Sequence, residues 1–251
     1  MRRIDLFKLV FITTPLLLAA CDSDDEPGGL QLTSGNIETI AGMGPTNFGY
    51  QGDNGPAVSA KLGWVTGVAV DNVGNVYLTD GAANVVRKIS DNGTISTIAG
   101  TFIGFNQINN TPYAGDGGVA TAAHLNVPFA ASVDADGNVF VADAGNNAVR
   151  KISADGKITT VAGKAPGLSG YNGDGGLSTQ SLMWNPQYVA HDADGNVYIA
   201  DSQNNAIRMI TKSTGKITTI AGLGPNSPGY SGDNGPATFA SIDRPTGVAI
   251  D

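Results

Sequence analysis

Three stretches of the chain, residues 68–100, 132–163 and 189–222, share one pattern of short apolar runs separated by turn residues. Within the second stretch the apolar residues of NVFVAD alternate between two faces, and a period of two is typical of a β-strand. Asp-Gly dipeptides, which favour tight hairpin turns, separate the runs. The pattern predicts four strands in this stretch, at residues 132–134, 138–143, 148–153 and 157–163.

The three stretches are copies of one repeated unit. Equivalent aspartates stand 58 to 63 residues apart, at Asp71, Asp134, Asp192 and Asp251. A glycine-rich loop recurs with the same spacing, as GYQGDNGPA at 49–57, YAGDGGVA at 113–120, GYNGDGGLS at 170–178 and GYSGDNGPA at 229–237. Glycine supplies 35 of the 251 residues, about twice its usual share, as a chain with many tight turns requires. One loop therefore belongs to each unit.

Both faces of the predicted strands are apolar, so each four-stranded unit needs a neighbour on either side. No unit contains a ten-residue amphipathic pattern that would predict a helix. Stacking the units and closing the stack into a ring covers every face, which is the architecture of a β-propeller. The sequence therefore predicts an all-β fold of four-stranded antiparallel blades.

The runs G-N-V-Y-[IL]-[AT]-D, N-x-[VI]-R-K-I and I-T-T-[IV]-A-G recur with small changes and resemble the NHL-repeat family. The glycine-rich loop resembles that of bacterial NHL proteins and of the teneurin NHL domain. The resemblance covers residues 36–251 and implies an NHL-type propeller, which commonly has six blades. About three and a half blades are present: three full units, a lone outer strand at 36–42 and one strand of a fourth unit at 247–251. We expect the lone strand to find its partners in a later blade, so we interpret the chain as a fragment, incomplete at the C-terminus.

The first 35 residues differ from the repeats. Basic residues precede an apolar run that ends Leu18-Ala19-Ala20-Cys21, which is typical of a signal peptide over residues 1–20. The end of the run resembles a bacterial lipobox, which implies cleavage before Cys21 and its lipidation; the alternative is an ordinary signal peptide with an incidental cysteine. Residues 21–35 are acidic and aperiodic, so we interpret them as a flexible tether. We therefore expect a lipid-anchored, extracytoplasmic protein of the bacterial cell envelope, with the choice of inner or outer membrane open.

The net charge of −8 argues against nucleic acid as a partner, because phosphate binding needs clustered lysine and arginine. The basic residues are scattered, mostly one or two per repeat. Cys21 is the only cysteine, so no internal disulfide can form. The expected partners are therefore a protein or a glycan outside the cytoplasm, together with the membrane through the anchor.

The glycine-rich loops carry the first candidate binding residues. We expect these loops to share one face of the ring with the turns that hold Asn84, Asn147 and Asn205. Aromatic rings beside acids can hold sugars, peptides or cations. The alternative is structural, because glycine permits positive φ and aspartate caps turns. The ligand-face candidates are Tyr50, Asp53, Tyr113, Asp116, Tyr171, Asp174, Tyr230, Asp233 and, near the ring axis, His191.

A second set of acids lies at the end of the second strand of each unit. Asp80, Asp143 and Asp201 each precede an arginine by seven residues. We expect these aspartates to make hydrogen bonds within their turns or ion pairs within their blades.

The sequence contains few residues of the types that catalyse reactions or bind metal ions. The chain has two histidines, His124 and His191, so it cannot build a three-histidine zinc site, and we predict no catalytic residue, metal or cofactor. We favour a non-catalytic, membrane-tethered propeller that binds a protein or a glycan. The alternative, which related propellers suggest, is a metal-dependent lyase or lactonase whose site is completed by further blades.

Overall fold

The computed structural model describes residues 9–12, 16–19, 37–105, 113–164 and 167–250. Cys21 and the predicted tether at 21–35 lie outside the described residues. The regular elements of the described residues are strands and three-residue 3₁₀ turns, and no helix among them has the length and apolarity needed to cross a membrane.

Three antiparallel sheets form successive blades, each built on a four-stranded meander, and the first sheet carries a short fifth strand at its outer edge. Blade 1 consists of β5 (Val65–Val70), β6 (Val76–Asp80), β7 (Val85–Ile89) and β8 (Thr94–Ala99). Blade 2 consists of β9 (Pro128–Val133), β10 (Val139–Asp143), β11 (Ala148–Ile152) and β12 (Ile158–Ala162). Blade 3 consists of β13 (Pro186–His191), β14 (Val197–Asp201), β15 (Ala206–Thr211) and β16 (Lys216–Ala221). This arrangement confirms the predicted propeller blades. The inner strand of blade 2 begins four residues before its predicted start, because the apolar run there includes Pro128 and Ala130.

Four shorter strands precede blade 1: β1 (Leu9–Ile12), β2 (Leu16–Ala19), β3 (Glu38–Thr39) and β4 (Gly55–Pro56). The lone strand that we expected at 36–42 is the two-residue β3, which pairs with β2. Its expected pairing with a later blade stays a prediction, because the described residues contain no blade after blade 3. An unpaired strand edge accepts whichever extended segment reaches it, which explains the pairing of β3 with β2. Within the described residues no strand follows β16, because the predicted strand at 247–251 has no hydrogen-bonded neighbour.

The hydrophobic core lies between the blades. One cluster joins Tyr77 and Val86 of blade 1 to Val141 and Ile152 of blade 2. A second cluster joins Phe140 and Val149 of blade 2 to blade 3 and to the fully buried Met183, which precedes that blade. Each blade is therefore buried on a face by its neighbour, as the apolar pattern on both faces of the strands requires.

Candidate functional site

Each of the first three glycine-rich loops runs along the outer strand of the blade that follows it. In the first loop the amide of Asn54 donates to the carbonyl oxygen of Ile95, 2.7 Å away. A side chain at Gly52 would place its Cβ 2.8 Å from the Cα of Ala60, and Gly52 has a φ of +93°, so glycine is required there. The equivalent loop amides in blades 2 and 3 join Gly117 to Ile158 and Gly175 to Ile217. The loop therefore acts as a short fifth strand that covers the edge of the blade.

The loop aspartates pair with buried arginines on the third strand of the same blade. Asp53 Oδ1 lies 2.6 Å from Arg87 Nη2 and accepts a second bond from Arg87 Nε at 3.1 Å. Burial alone would raise the pKa of Asp53, but hydrogen bonds from Thr97 and Arg87 outweigh it and hold the pKa below its ordinary value. The equivalent pairs are Asp116–Arg150 and Asp174–Arg208, each 2.8 Å apart.

The loop tyrosines are also committed to contacts within the blade. The hydroxyl of Tyr50 lies 2.8 Å from Thr97 Oγ1, and the Arg87 guanidinium lies 5.2 Å from the centre of the tyrosine ring. Such a cation–π contact occupies the ring face that a ligand would use. The same arrangement joins Tyr113 to Thr160 and Arg150, and Tyr171 to Thr219 and Arg208. In the first three loops the tyrosine and the aspartate therefore hold the loop against its own blade. We call this set of contacts the brace.

The fourth loop differs because no blade follows it in the described part of the chain. Tyr230 is 86% exposed, and its hydroxyl donates to Asp233 Oδ2 at 2.8 Å. Among the described residues Asp233 has no arginine against it. The hydrogen bond between the loop tyrosine and the loop aspartate thus forms without an arginine partner. Burial of the two side chains requires a blade beside the loop.

The aspartates at the end of the second strand are fully buried. Asp143 Oδ1 accepts from the Asn126 amide at 2.7 Å, and Oδ2 accepts from Asn146 Nδ2 at 2.9 Å and from Arg150 Nη1 at 3.4 Å. Burial raises the pKa of Asp143 to about 6, against the opposing effect of the Arg150 charge. Asp201 has equivalent partners in blade 3, namely the Trp184 amide, Asn204 and Arg208. Burial raises the pKa of Asp201 to about 6 as well.

Neighbouring blades are joined by the asparagines that we placed in the turns between the second and third strands. Asn147 has a φ of 51°, a left-handed conformation that asparagine tolerates better than most residues. Its Oδ1 accepts from the amide of Asn185 in the next blade, 2.8 Å away. Asn84 and Asn205 bond in the same way to the amides of Val127 and Arg244. These asparagines therefore connect the blades at one end of the ring.

His191 ends the inner strand of blade 3. Its Nδ1 lies 3.3 Å from Ser132 Oγ, and its ring stacks on Phe140 with the centroids 6.0 Å apart. The histidine thus lies between the inner strands of blades 2 and 3. In the described ranges, no three His, Cys, Asp or Glu side chains are grouped so that they could hold a metal ion.

Sequence reasoning missed a group of aromatic residues at the end of the ring that carries the asparagine turns. Trp64 is 52% exposed and Trp184 is 45% exposed, and their carbonyl oxygens accept from the turn amides of Gly81 and Gln203. Phe129 meets Trp64 edge to face, with ring centroids 6.1 Å apart. The signal in the sequence was a large aromatic residue at or just before the start of an inner strand, in a different place in each unit.

Beside this aromatic group lies a cavity of about 340 Å³ between the inner strands. It is lined by hydroxyl, aliphatic and aromatic groups, and no carboxylate or imidazole is among the lining residues. The lining residues come from all three blades and from the segment that follows blade 3: Thr66, Gly67, Val68, Phe129, Ala130, Tyr188 and Thr246. We call this cavity, together with Trp64 and Trp184, the axial face.

Similar folds occur among solved structures. An auxiliary nutrient binding protein from Bacteroides ovatus superimposes with a TM-score of 0.57 at 16% identity, covering 96% of this chain and 53% of that one. A protein of unknown function from Bacteroides thetaiotaomicron gives a TM-score of 0.54 at 21% identity, covering 83% of this chain and 44% of that one. The four-stranded meander blades and these likenesses define a β-propeller.

Sequence comparison gives the family. Residues 29–113 match the teneurin NHL domain. Teneurin-1 of Gallus gallus is 30% identical over 237 residues, and Teneurin-4 of Homo sapiens is 29% identical over 238 residues. Each alignment covers 86% of this chain but only 8% of the relative. With three copies of the repeat on the blades, the chain belongs to the NHL-repeat family.

Proposed function

We propose that this chain is a non-catalytic binding propeller, held outside the cytoplasm by a lipid on Cys21, whose axial face binds a glycan or a protein. The observation that carries the proposal is the exposed aromatic group on that face, because large exposed aromatics beside a cavity are typical of binding surfaces. The cavity is of the size that holds part of a small ligand.

The chemistry of the axial face favours binding over catalysis. Its cavity offers hydroxyl groups and apolar surface, without a carboxylate or an imidazole to transfer a proton. The nutrient-binding protein from Bacteroides ovatus is a precedent for a similar fold in a binding protein. The loop tyrosines of the first three blades are less suited to a ligand, because their hydroxyl groups and ring faces are already occupied.

The chain carries its own reporter for this proposal. It has two tryptophans, Trp64 and Trp184, and both belong to the axial face. We expect neutral oligosaccharides or envelope protein domains that bind there to change the intrinsic tryptophan fluorescence. Replacing either tryptophan with alanine should weaken binding by about 2 kcal/mol or more, the usual effect of an aromatic anchor.

Tyr230→Ala is the matched control, because Tyr230 is an exposed aromatic residue on a loop and does not line the axial cavity. It should leave binding unchanged. If Tyr230→Ala weakens binding while both tryptophan variants bind normally, the loops and not the axial face bind the ligand. The anchor is tested separately: Cys21→Ser should release the protein from the membrane fraction, and unchanged fractionation would refute lipidation.

A further inference from the structure

Four aromatic rings form a continuous cluster at the rim of blade 1. Phe102 lies between Tyr50 and Phe105, with ring centroids 4.6 Å and 4.9 Å away, and Phe48 lies 4.8 Å from Phe105. Phe48 is 55% exposed, and Ile103 beside the cluster is exposed too. We call these residues, Phe48, Tyr50, Phe102, Ile103 and Phe105, the rim patch.

Of the rim patch, only Tyr50 takes part in the brace of the loop. Tyr50 serves the brace, and its counterparts Tyr113 and Tyr171 serve it in blades 2 and 3. Phe48 has no aromatic counterpart, because the equivalent positions of the other loops are Thr111, Ser169 and Pro228. Phe48, Phe102 and Phe105 therefore take no part in the brace, and an aromatic cluster that is partly exposed, with Phe48 as its most exposed ring, is typical of an interaction surface.

The position of the rim patch indicates what covers it. Fifteen residues, 22–36, link Cys21 to Ile37, and a fully extended segment of this length spans at most about 50 Å. Phe48 follows Ile37 by only eleven residues. Of the four glycine-rich loops, the first is therefore the one that the shortest stretch of chain separates from a lipid on Cys21.

We propose that the rim patch docks on the surface of the lipid bilayer that holds the anchor. This inference rests on the proposed lipidation of Cys21. Phenylalanine side chains enter the boundary between headgroups and acyl chains, and a second membrane contact adds to the hold of a lipid anchor. None of the five residues of the patch is charged, and the chain carries a net charge of −8, so docking depends on apolar contact and not on attraction to anionic lipid.

Docking through the rim patch has a consequence for the proposed binding function. The first loop pairs with β8, the outermost strand of blade 1. The patch therefore lies at the edge of the propeller, away from the inner strands that form the axial cavity. A propeller docked by its rim keeps Trp64 and Trp184 accessible to a ligand.

The single cysteine makes a direct test available. Once Cys21 is acylated, Phe48→Cys supplies the only thiol for an environment-sensitive fluorophore. The acylated, labelled full-length protein is placed in vesicles of phosphatidylethanolamine and phosphatidylglycerol with brominated acyl chains. We expect a blue-shifted emission that bromine quenches, most strongly when the bromine lies near the headgroups, because such side chains insert about 5–10 Å. Leu223→Cys, an exposed apolar position after blade 3, is the control and should show neither effect.

The outcomes separate the docking from the anchor. Protein that stays in the membrane fraction with a water-exposed, unquenched probe at position 48 would overturn the docking and leave the lipidation intact. A blue shift without bromine quenching would also overturn it, because another protein surface would then cover the patch. Loss of the protein from the membrane fraction would refute lipidation and the docking that rests on it. If Phe48→Cys does not fold, Ile103→Cys should give the same signal.

Discussion

Blade 1 and blade 3 each bury an aspartate at the end of the second strand, but its hydrogen-bond partners differ between the two blades. In blade 3, Asp201 accepts from Asn204 Nδ2 at 2.8 Å and from Arg208 Nη1 at 3.4 Å. In blade 1 the position of Asn204 is taken by Ala83, and Asp80 accepts from the backbone amides of Gly63 and Ala83.

The arginines differ accordingly. Arg87 of blade 1 directs both Nε and Nη2 to the loop aspartate Asp53. Arg208 of blade 3 divides its donors between Asp174 of the loop and the buried Asp201, and its Nε has no partner. The arginine of a blade can therefore pair with the loop aspartate alone or with both the loop aspartate and the buried aspartate. It pairs with both in blade 3, where the buried aspartate also has an asparagine beside it. The brace of the loop is common to both blades, while the link to the buried acid is optional.

The largest effect expected from this difference concerns the arginines. Arg208→Met should lower the free energy of unfolding by about 3–5 kcal/mol, because it leaves Asp201 buried without its cation. Arg87→Met should cost less, because Asp53 is partly exposed and Asp80 has no ion pair with Arg87 within 4 Å. Urea denaturation of the two variants measures the difference. Equal losses would show that the link to the buried aspartate contributes nothing.

A smaller change should make blade 3 resemble blade 1. Asn204→Ala removes one hydrogen bond to Asp201 and one to the carbonyl oxygen of Gly170. We expect a loss of about 1–3 kcal/mol, the cost of leaving buried polar groups without a partner. The converse variant, Ala83→Asn, should stabilise blade 1 if its side chain reaches Asp80. An unchanged melting temperature for Asn204→Ala would show that the two hydrogen bonds of Asn204 do not stabilise the blade.

The smallest expected effect is the change in the free energy of unfolding with pH that results from the two buried aspartates, Asp143 and Asp201. The pKa of Asp143 and that of Asp201 are raised to about 6, so between pH 7 and pH 5 the folded state takes up protons that the unfolded state does not. The unfolding free energy should therefore rise by roughly 1 kcal/mol per group over this interval. Below about pH 4 the trend should reverse, because Asp53 and Asp174 have lowered pKa values and lose their stabilising charge on protonation.

Urea titrations at several pH values measure this curve. Asp143→Asn and Asp201→Asn together should flatten the rise between pH 7 and pH 5. A stability that falls steadily from pH 7 would mean that the arginines hold both buried aspartates ionised.

Much of the fold could be predicted because its signals are local. The alternation in NVFVAD and the Asp-Gly turns depend on neighbouring residues, and the structure forms strands there, with boundaries shifted by one to four residues. The pairing of the lone strand could not be predicted. The edge of β3 accepts any extended segment, and the sequence does not encode which one is near.

The repeated blade and the need for blades to cover each other follow from the sequence, because strands with two apolar faces must be covered on both sides. The sequence also supplied Asp53 and Arg87, Asp174 and Arg208, but nothing local relates residues 34 positions apart. The charges come together only in the tertiary structure, because each of the first three glycine-rich loops folds along the outer strand of the following blade. The packing of successive inner strands likewise brings Phe129, which contacts Trp64, and Tyr188 to one cavity, although no short stretch of the sequence contains these residues together.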